Sequence, residues 1–310
     1  MLYICTLESI FQGEKMKRVE LLFILFCCTV LFSCVNMETK KAAITVTIQP
    51  QKYFAEKIAG GRFEINCIVP EGSSPETYDP SPSLLVKAAK SEAYFKIGYI
   101  GFEIAWLDKL IQNTPGLQVF DNSIGVEFCT DTIPVDSTEV ASSHIHFSGI
   151  NPHIWCSPRQ TVIIIENMYK AFVALDPEHQ SEYEENYKNL LAEVSQVDSI
   201  FTERLAPLKG KAFVVFHPSL SYLARDYGLE QISLESDGKE PSAKHFKEMV
   251  DLARRKQAKV FFVQKEFDRK NIEVFAREFD GKIIEINPLN YNWIDEQLAM
   301  VNILSSEYAD

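Results

Sequence analysis

Cysteine is scarce in this 310-residue chain beyond its N-terminal stretch. Only Cys67, Cys129 and Cys156 follow Cys34, and no two cysteines have the CxxC spacing. Three thiols form at most one bridge, so a disulfide scaffold is excluded, and the missing spacing argues against a thiolate zinc site. The chain also lacks a GxSxG elbow, an HExxH pair and a phosphate-binding loop. The common serine-hydrolase, zincin and nucleotide-binding motifs are therefore absent from the sequence.

Basic residues are also fewer than acidic residues. Lysine and arginine total 31 against 43 aspartates and glutamates, which gives a net charge of -12 and a pI near 5.1. Such a chain is repelled by nucleic acids and by anionic membrane surfaces, so we expect no nucleic-acid partner. A composition of 46% hydrophobic and 24% charged residues is typical of a soluble globular protein, and the length allows two medium domains or one large one.

The N-terminus has the layout of an export signal. A basic stretch at 16–18 precedes an apolar run at 21–32, which is too short to span a bilayer as a mature helix. The following LFSC resembles a bacterial lipobox, in which the cysteine is lipidated. We therefore expect a signal peptide at 1–34 and a membrane anchor at Cys34, either in the periplasm or on the cell surface. Met16 is then the start, with 1–15 an upstream over-read; the alternative is a buried N-terminal helix.

The rest of the chain alternates between short apolar runs and segments with helical spacing. The runs predict strands at 43–48, 63–69, 93–98, 117–121, 211–217, 229–235, 258–264 and 281–287. An amphipathic segment at 178–205 separates the first four strands from the last four and would be roughly 40 Å long as a helix. Alternation of this kind predicts parallel sheets. We expect an α/β fold of two lobes, each a four-stranded parallel sheet with flanking helices, joined by one long backbone helix.

The domain boundaries follow from this alternation of predicted strands and helices. We predict a tether at 35–41, an N-terminal α/β lobe at 42–157, linking helices at 158–208 and a C-terminal α/β lobe at 209–310. Within the first lobe, 122–152 has no clear period and is long for a loop, which indicates a functional or mobile segment.

Polar residues at strand ends are the candidates for a binding site, because ligands of parallel sheets bind outside the carboxyl ends of the strands. His217 and Asn287 end two predicted strands, and Glu76 lies in the loop PEGSSPETYDPSPS after another. His153 lies in NPHIWCSP, just before the linking helices. Imidazole and carboxylate bind Zn²⁺, and imidazole also serves Mn²⁺ or Fe²⁺. An isolated histidine at a strand end is more often structural, and these residues alone leave both interpretations open.

Two further histidines, His144 and His146, alternate in SSHIHFSG. This spacing suits transient metal capture, and a solvated loop is the plainer alternative.

Several ordered blocks resemble the metal-binding substrate-binding proteins of ABC transporters, the group that contains the zinc and manganese receptors. SSPETYDPSPS stands where that family has a Pro-His-x-Tyr loop, and NPHIW-x-SP where it has Asp-Pro-His-x-Trp-x-x-Pro. FHPSLSYLARDYGL matches its block of a histidine followed by a Tyr-x-x-x-x-Tyr-Gly-Leu helix, and EPSAKHF, FVQKEF and INPLN follow in the family's order. The resemblance covers nearly all of the mature chain.

The resemblance implies one metal held between the lobes by Glu76, His153, His217 and Asn287. Glu76 stands where the family has histidine, and Asn287 where it usually has aspartate. The histidine at 217 is the residue type that zinc receptors of the family have at this position. An amide is a weak zinc ligand, and the set leaves a residual charge of +1 on the ion. Water, Glu266 or Glu235 is then expected to complete the coordination. The implied cargo is Zn²⁺, with Mn²⁺ or Fe²⁺ as alternatives.

The implied function is capture of a divalent cation outside the cytoplasm and its delivery to a membrane permease with its ATPase, without catalysis. We expect a monomer whose lobes move little. The alternatives are a zinc-dependent hydrolase that uses the same His/Glu cluster with Glu266 as base, a lipoprotein adhesin without metal, and a receptor for a metal chelate.

Overall fold

The computed structural model describes residues 41–130, 149–235, 242–267, 278–279 and 281–309. The predicted signal peptide with its lipidation site at Cys34, and the histidines His144 and His146, lie outside these residues.

Eight strands of four or five residues form two parallel sheets in the described parts of the chain. They are β1 Ala43–Val46, β2 Glu64–Cys67, β3 Ala93–Lys96, β4 Gln118–Asp121, β5 Ala212–Val215, β6 Glu230–Ser233, β7 Val260–Gln264 and β8 Lys282–Ile286. The strand orders are β2-β1-β3-β4 and β6-β5-β7-β8, so the second sheet repeats the topology of the first. All pairings are parallel, with Ile44 opposite Ile65 in one sheet and Val214 opposite Ile232 in the other.

Helices connect the strands and join the two sheets. They are α1 Gln49–Ala59, α2 Pro82–Ala89, α3 Gly101–Asn113, α4 Pro158–Leu175, α5 Gln180–Leu205, α6 Ser221–Tyr227, α7 Ala243–Arg255 and α8 Trp293–Glu307, with short 3₁₀ turns at Ile154–Cys156, Pro177–His179 and Ala206–Leu208. Local chemistry sets several ends. Ser81 and Ser242 accept from backbone N–H groups in the first turns of α2 and α7, and Gly60 ends α1 with a left-handed φ of 59°.

The long helix α5 joins the lobes. It packs on α1 of the first lobe and on α8 of the second, and it pairs with α4 along its length. Its buried face carries Leu190, Val194, Val197 and Phe201, which recur at helical spacing. With 26 residues it is about 39 Å long, enough to reach from one lobe to the other. The predicted α/β architecture of two four-stranded parallel sheets and one long joining helix is confirmed.

One hydrophobic core runs through both lobes. It includes Phe54 of α1 and Trp293 of α8, whose ring centroids lie 5.3 Å apart. A separate apolar cluster covers the outer face of each sheet. Because packed interiors resist deformation, a core that crosses between the lobes limits their relative movement.

Two of the cysteines, Cys67 and Cys156, are free thiols. Among the described residues, no helix is long and apolar enough to cross a membrane.

Candidate metal centre

Three donor atoms meet between the carboxyl ends of the two sheets. Oε1 of Glu76 lies 3.0 Å from Nε2 of His217 and 3.3 Å from Nε2 of His153. The two Nε2 atoms are 3.3 Å apart. Ligand atoms around a tetrahedral Zn²⁺, at bonds of about 2.0 to 2.1 Å, lie about 3.3 to 3.4 Å from each other. The three donors are therefore spaced like one face of such a coordination sphere, and among the described residues they form a group that could hold a metal ion.

The loop at 70–81 brings Glu76 to this position. Phe102 at the start of α3 donates its N–H to the carbonyl of Pro75 at 2.9 Å, which ties the loop to the helix. A Cβ on Gly101 would collide with the backbone carbonyl of Glu76. The close approach of α3 to the loop therefore requires glycine at position 101.

A buried carboxylate supports this end of α3. Glu103 is 6% exposed and accepts hydrogen bonds from the backbone N–H groups of Ile97 and Gly98, both at 2.8 Å, and from the hydroxyl of Thr47. Burial raises the pKa of Glu103 to about 7, although these donors oppose the shift. The loop after β3 is thus fixed from inside the first lobe.

His153 is oriented by the asparagine two residues before it. Oδ1 of Asn151 accepts from the backbone N–H of His153 and contacts its Nδ1, both at 2.9 Å. Nδ2 of Asn151 donates to the carbonyl of Pro218 at 2.6 Å, so the same side chain reaches the loop that carries His217. With Nδ1 engaged, Nε2 is the ring nitrogen that faces the cluster.

His217 follows β5 and is held on several sides. Gln264, at the end of β7, accepts from the backbone N–H of His217 at 3.3 Å and donates to its carbonyl at 2.6 Å. Nδ1 of His217 lies 2.6 Å from Oε2 of Glu235, which follows β6. The ring of Phe267 stacks on the imidazole with centroids 5.4 Å apart. These contacts fix the ring plane and direct Nε2 toward Glu76.

The electrostatics of the cluster favour a cation. Burial alone would raise the pKa of Glu76, but hydrogen bonds with His153 and His217 hold it well below its usual range. Burial alone would lower the pKa of His217, yet hydrogen bonds to Glu235 and Glu76 raise it to about 10. Burial raises the pKa of Glu266 above its usual value. A proton is therefore held at His217 between carboxylates, and a metal ion at this position would displace it.

The remaining sequence-predicted residues occupy different positions around the cluster. Glu235 lies behind His217, on the Nδ1 side, whereas the donor atoms meet at Nε2. The cavity beside the cluster is lined by Glu266, Ser219, Pro288 and Leu289, among others. Asn287 is not among the cavity-lining residues of the described chain, although its two successors are.

Asn151, Gln264 and Glu103 are supporting residues that reasoning from sequence did not single out. The position of Asn151, two residues before a candidate histidine and next to a proline, is a usable signal, because asparagine side chains commonly bind the backbone two residues on. The roles of Gln264 and Glu103 depend on strand neighbours far along the chain, and no local pattern marks them.

Two α/β lobes on a common long helix, with imidazole and carboxylate donors between their strand ends, define a two-lobed ion-binding protein. The chain belongs to the family described as ZnuA, "Zinc-uptake complex component A periplasmic", whose model matches residues 44–301. Membership thus rests on nearly the whole described chain.

Known relatives agree with this assignment. The structure titled "Crystal structure of ZnuA" is 32% identical, covers 87% of this chain and all of its own, and superposes with a TM-score of 0.78. The "High-affinity zinc uptake system protein ZnuA" of Bacillus subtilis is 24% identical over 286 residues, which are 88% of this chain and 89% of that protein. The "Zinc-binding lipoprotein AdcA" of Streptococcus pneumoniae is 23% identical over 299 residues, 94% of this chain. The chain spans 59% of the length of that protein.

Proposed function

We propose that this protein is the extracytoplasmic receptor of a metal importer, which binds one divalent cation between its lobes and hands it to a membrane permease driven by an ATPase. The observation that carries the proposal is the triangle of donor atoms in Glu76, His153 and His217, with sides of 3.0 to 3.3 Å. Two imidazoles and a carboxylate form a borderline set that suits Zn²⁺ first and Mn²⁺ or Fe²⁺ less tightly. Family membership supports the same cargo.

The surroundings of the cluster favour binding over catalysis. Both histidines are buried, at 5% and 7% exposure, and each has its second ring nitrogen engaged. A catalytic zinc site keeps an open position for water beside a general base, whereas a receptor encloses its ion. We therefore infer that the protein releases its cargo unchanged.

Export and anchoring complete the proposal. A receptor of this kind works outside the cytoplasm, and the predicted signal peptide at 1–34 with lipidation at Cys34 would keep it beside its permease. We propose a lobe division at 42–157 and 209–310 with linking helices at 158–208, and a monomer as the working unit.

Competition titration of the purified, metal-stripped protein tests the proposal. We expect saturable binding of one Zn²⁺ and a rise in melting temperature with the ion. Glu76→Ala, His153→Ala and His217→Ala should each weaken binding by more than the 10- to 100-fold that loss of an outer-sphere partner costs. His179→Ala is the matched control, because His179 pairs with Asp176 on the long-helix side of the molecule, at 2.7 Å.

Three outcomes would contradict the proposal. Wild-type protein without saturable uptake of any divalent ion would favour an adhesin. Hydrolysis of ester, phosphoester or peptide substrates that chelator abolishes would favour the metallohydrolase. Unchanged uptake of labelled zinc by cells whose receptor carries His217→Ala would separate the site from transport.

A further inference from the structure

The segment at 287–292 connects β8 to α8 and reaches two parts of the molecule at once. Pro288 and Leu289 line the cavity beside the three donor side chains. Two residues further on, Tyr291 meets α1, the helix that follows the first strand of the other sheet. The segment therefore forms a wall of the ion cavity and also a contact with the first lobe.

A hydrogen bond carries this contact between the lobes. Oη of Tyr291 donates to Oε2 of Glu56 at 2.5 Å, a distance typical of a hydroxyl that donates to a carboxylate. The ring of Tyr291 also meets the ring of Tyr53 edge-on, with centroids 5.6 Å apart. Tyr53 and Glu56 are three residues apart in α1 and lie on the same face of the helix. Burial and the bond to Glu56 raise the pKa of Tyr291 to about 12, so the phenol keeps the proton that it donates near neutral pH.

A second contact of the segment differs in its access to water. The indole of Trp155 donates to the carbonyl of Pro288 at 2.9 Å, and Trp155 is fully buried in the common core. The Glu56 side chain, by contrast, is 37% exposed. Water can therefore replace the phenol at Glu56 while the core stays packed, whereas the bond to Pro288 breaks only if the core opens. The pair of Tyr291 and Glu56 is thus a part of this wall that can open and close in the folded protein.

Loss of the pair would act on the cavity through Leu289. This side chain is buried, lines the cavity and lies between the two attachment points, Pro288 and Tyr291. With Tyr291 detached, Leu289 loses the attachment on one side, and the wall fluctuates more. Among the described residues, neither Tyr291 nor Glu56 lines the cavity, so their effect is on the wall and not on the ligands.

We propose that the hydrogen bond between Tyr291 and Glu56 is an interlobe contact that keeps this wall closed over the ion and slows the release of the ion. The inference rests on the proposed function and adds a determinant of the rate at which the cargo leaves. While the contact is intact, the loop at 70–81 is the exit. When the contact is broken, ion and water also exchange past Leu289. The contact therefore changes the dissociation rate constant and leaves the donor atoms as they are.

The experiment compares Tyr291→Phe with Tyr53→Phe in the full-length protein. Each change removes one hydroxyl and keeps the ring pair. Release of Zn²⁺ from loaded protein into excess chelator is followed by stopped flow. Tyr291→Phe should release the ion about three- to tenfold faster than wild type, with the association rate constant within about twofold. Tyr53→Phe should release it at the wild-type rate, because the Tyr53 hydroxyl contacts Glu193 of the long helix at 3.5 Å instead.

Two further measurements test the pair itself. In a double-mutant cycle, Glu56→Ala should speed zinc release as Tyr291→Phe does, and the double variant should be no faster than either single variant. Hydrogen exchange of the metal-free protein should be faster at 289–292 in Tyr291→Phe than in wild type, and unchanged in Tyr53→Phe.

The outcomes separate this inference from the proposed function. If wild type binds zinc and Tyr291→Phe releases it at the wild-type rate, the inference fails while the function stands. Equal acceleration in Tyr53→Phe, or additive effects in the double-mutant cycle, would overturn the inference as well. If wild type binds no divalent ion, the function fails, and hydrogen exchange alone decides whether the contact holds the wall. Unchanged exchange at 289–292 in Tyr291→Phe would overturn the inference in either case.

Discussion

The two lobes share a strand order but present their proposed metal donors in different ways. In the C-terminal lobe, His217 lies two residues beyond the end of β5, so the sheet itself places it. In the N-terminal lobe, Glu76 lies nine residues beyond β2, in a loop that depends on contacts with α3. His217 is thus built on a rigid framework, while Glu76 is built on a supported loop. The predictions below test that contrast.

Loss of the buried carboxylate in the N-terminal lobe should have the largest effect. Glu103→Ala leaves the N–H groups of Ile97 and Gly98 buried without their acceptor, at about 1 to 3 kcal/mol each. We expect the free energy of unfolding to fall by roughly 2 to 6 kcal/mol in chemical denaturation. Glu92→Ala, an exposed carboxylate at the start of β3, should change it by less than about 0.5 kcal/mol. A loss of stability of similar size in both variants would show that Glu103 does not support the loop after β3.

Zinc affinity should rise steeply with pH because His217 must give up a proton to bind. The hydrogen bonds of its ring raise the pKa to about 10, so the imidazole is protonated at neutral pH in the metal-free protein. Binding then releases one proton, and affinity should increase about tenfold per pH unit, or about 100-fold from pH 6 to pH 8.

The same shift makes the metal-free fold depend on pH in the opposite sense. A histidine whose folded pKa is raised stabilises the fold fully below its unfolded pKa of about 6.5, and that stability is lost as pH rises toward 10.

Calorimetric titration of zinc in buffers of different ionisation enthalpy counts the protons released on binding. His179→Ala should leave the dependence of zinc affinity on pH unchanged. A zinc affinity that does not change with pH in wild type would contradict the prediction.

The carboxylate behind His217 should tune its strength as a ligand. A metal-binding imidazole whose other nitrogen donates to a carboxylate is more basic and better oriented, and loss of such a partner costs 10- to 100-fold in metal affinity. We expect Glu235→Gln to weaken Zn²⁺ binding within that range, because an amide is a poorer acceptor from Nδ1 than a carboxylate. Competition titration measures the effect.

Glu230→Gln is the matched control, since Glu230 lies in β6, the strand that precedes Glu235, but pairs with Lys256 on the surface at 2.7 Å. Equal affinities for Glu235→Gln and wild type would limit Glu235 to a packing role.

A change in the support of the N-terminal loop should have the smallest effect on affinity. In Gly101→Ala the new methyl group meets the backbone of Glu76, so the loop must shift. We expect zinc affinity to drop about tenfold, or ~1.4 kcal/mol, with little change in the C-terminal lobe. Gly116→Ala is the control, because a Cβ there meets no atom within 4 Å. If both variants bind zinc equally, the contact between α3 and the loop does not position Glu76.

The contrast between the lobes also explains how far sequence reasoning could go. The apolar runs place every strand of both sheets to within about three residues. The strand-end rule makes His217 a candidate but leaves open whether it is structural or a ligand. The same rule makes Glu76 a candidate, since its loop follows a predicted strand, but the role of Glu76 as a ligand is implied only by the resemblance to a family motif.

The separation of His217 and Asn287 depends on which strands are neighbours. In the chain, Asn287 ends a strand as plainly as His217 does. Only the order β6-β5-β7-β8 shows that β7 separates the two. The supporting role of Glu103 is not visible in the sequence for a related reason. An acidic residue in the first turn of a helix is ordinary because it complements the helix dipole, and its burial depends on a fold that local pattern does not reveal.

Two tryptophans tie together the segments at the second side of the site. The indole of Trp155 donates to the carbonyl of Pro288, and that of Trp293 donates to the carbonyl of Trp155 at 2.7 Å. The segment that carries His153 and the segment after β8 are therefore fastened to each other inside the common core. The dwell time of the ion should then follow fluctuations of the loop at 70–81, and hydrogen exchange should be faster there than at 287–293. Transfer of the ion to the permease would then require movement of that loop alone.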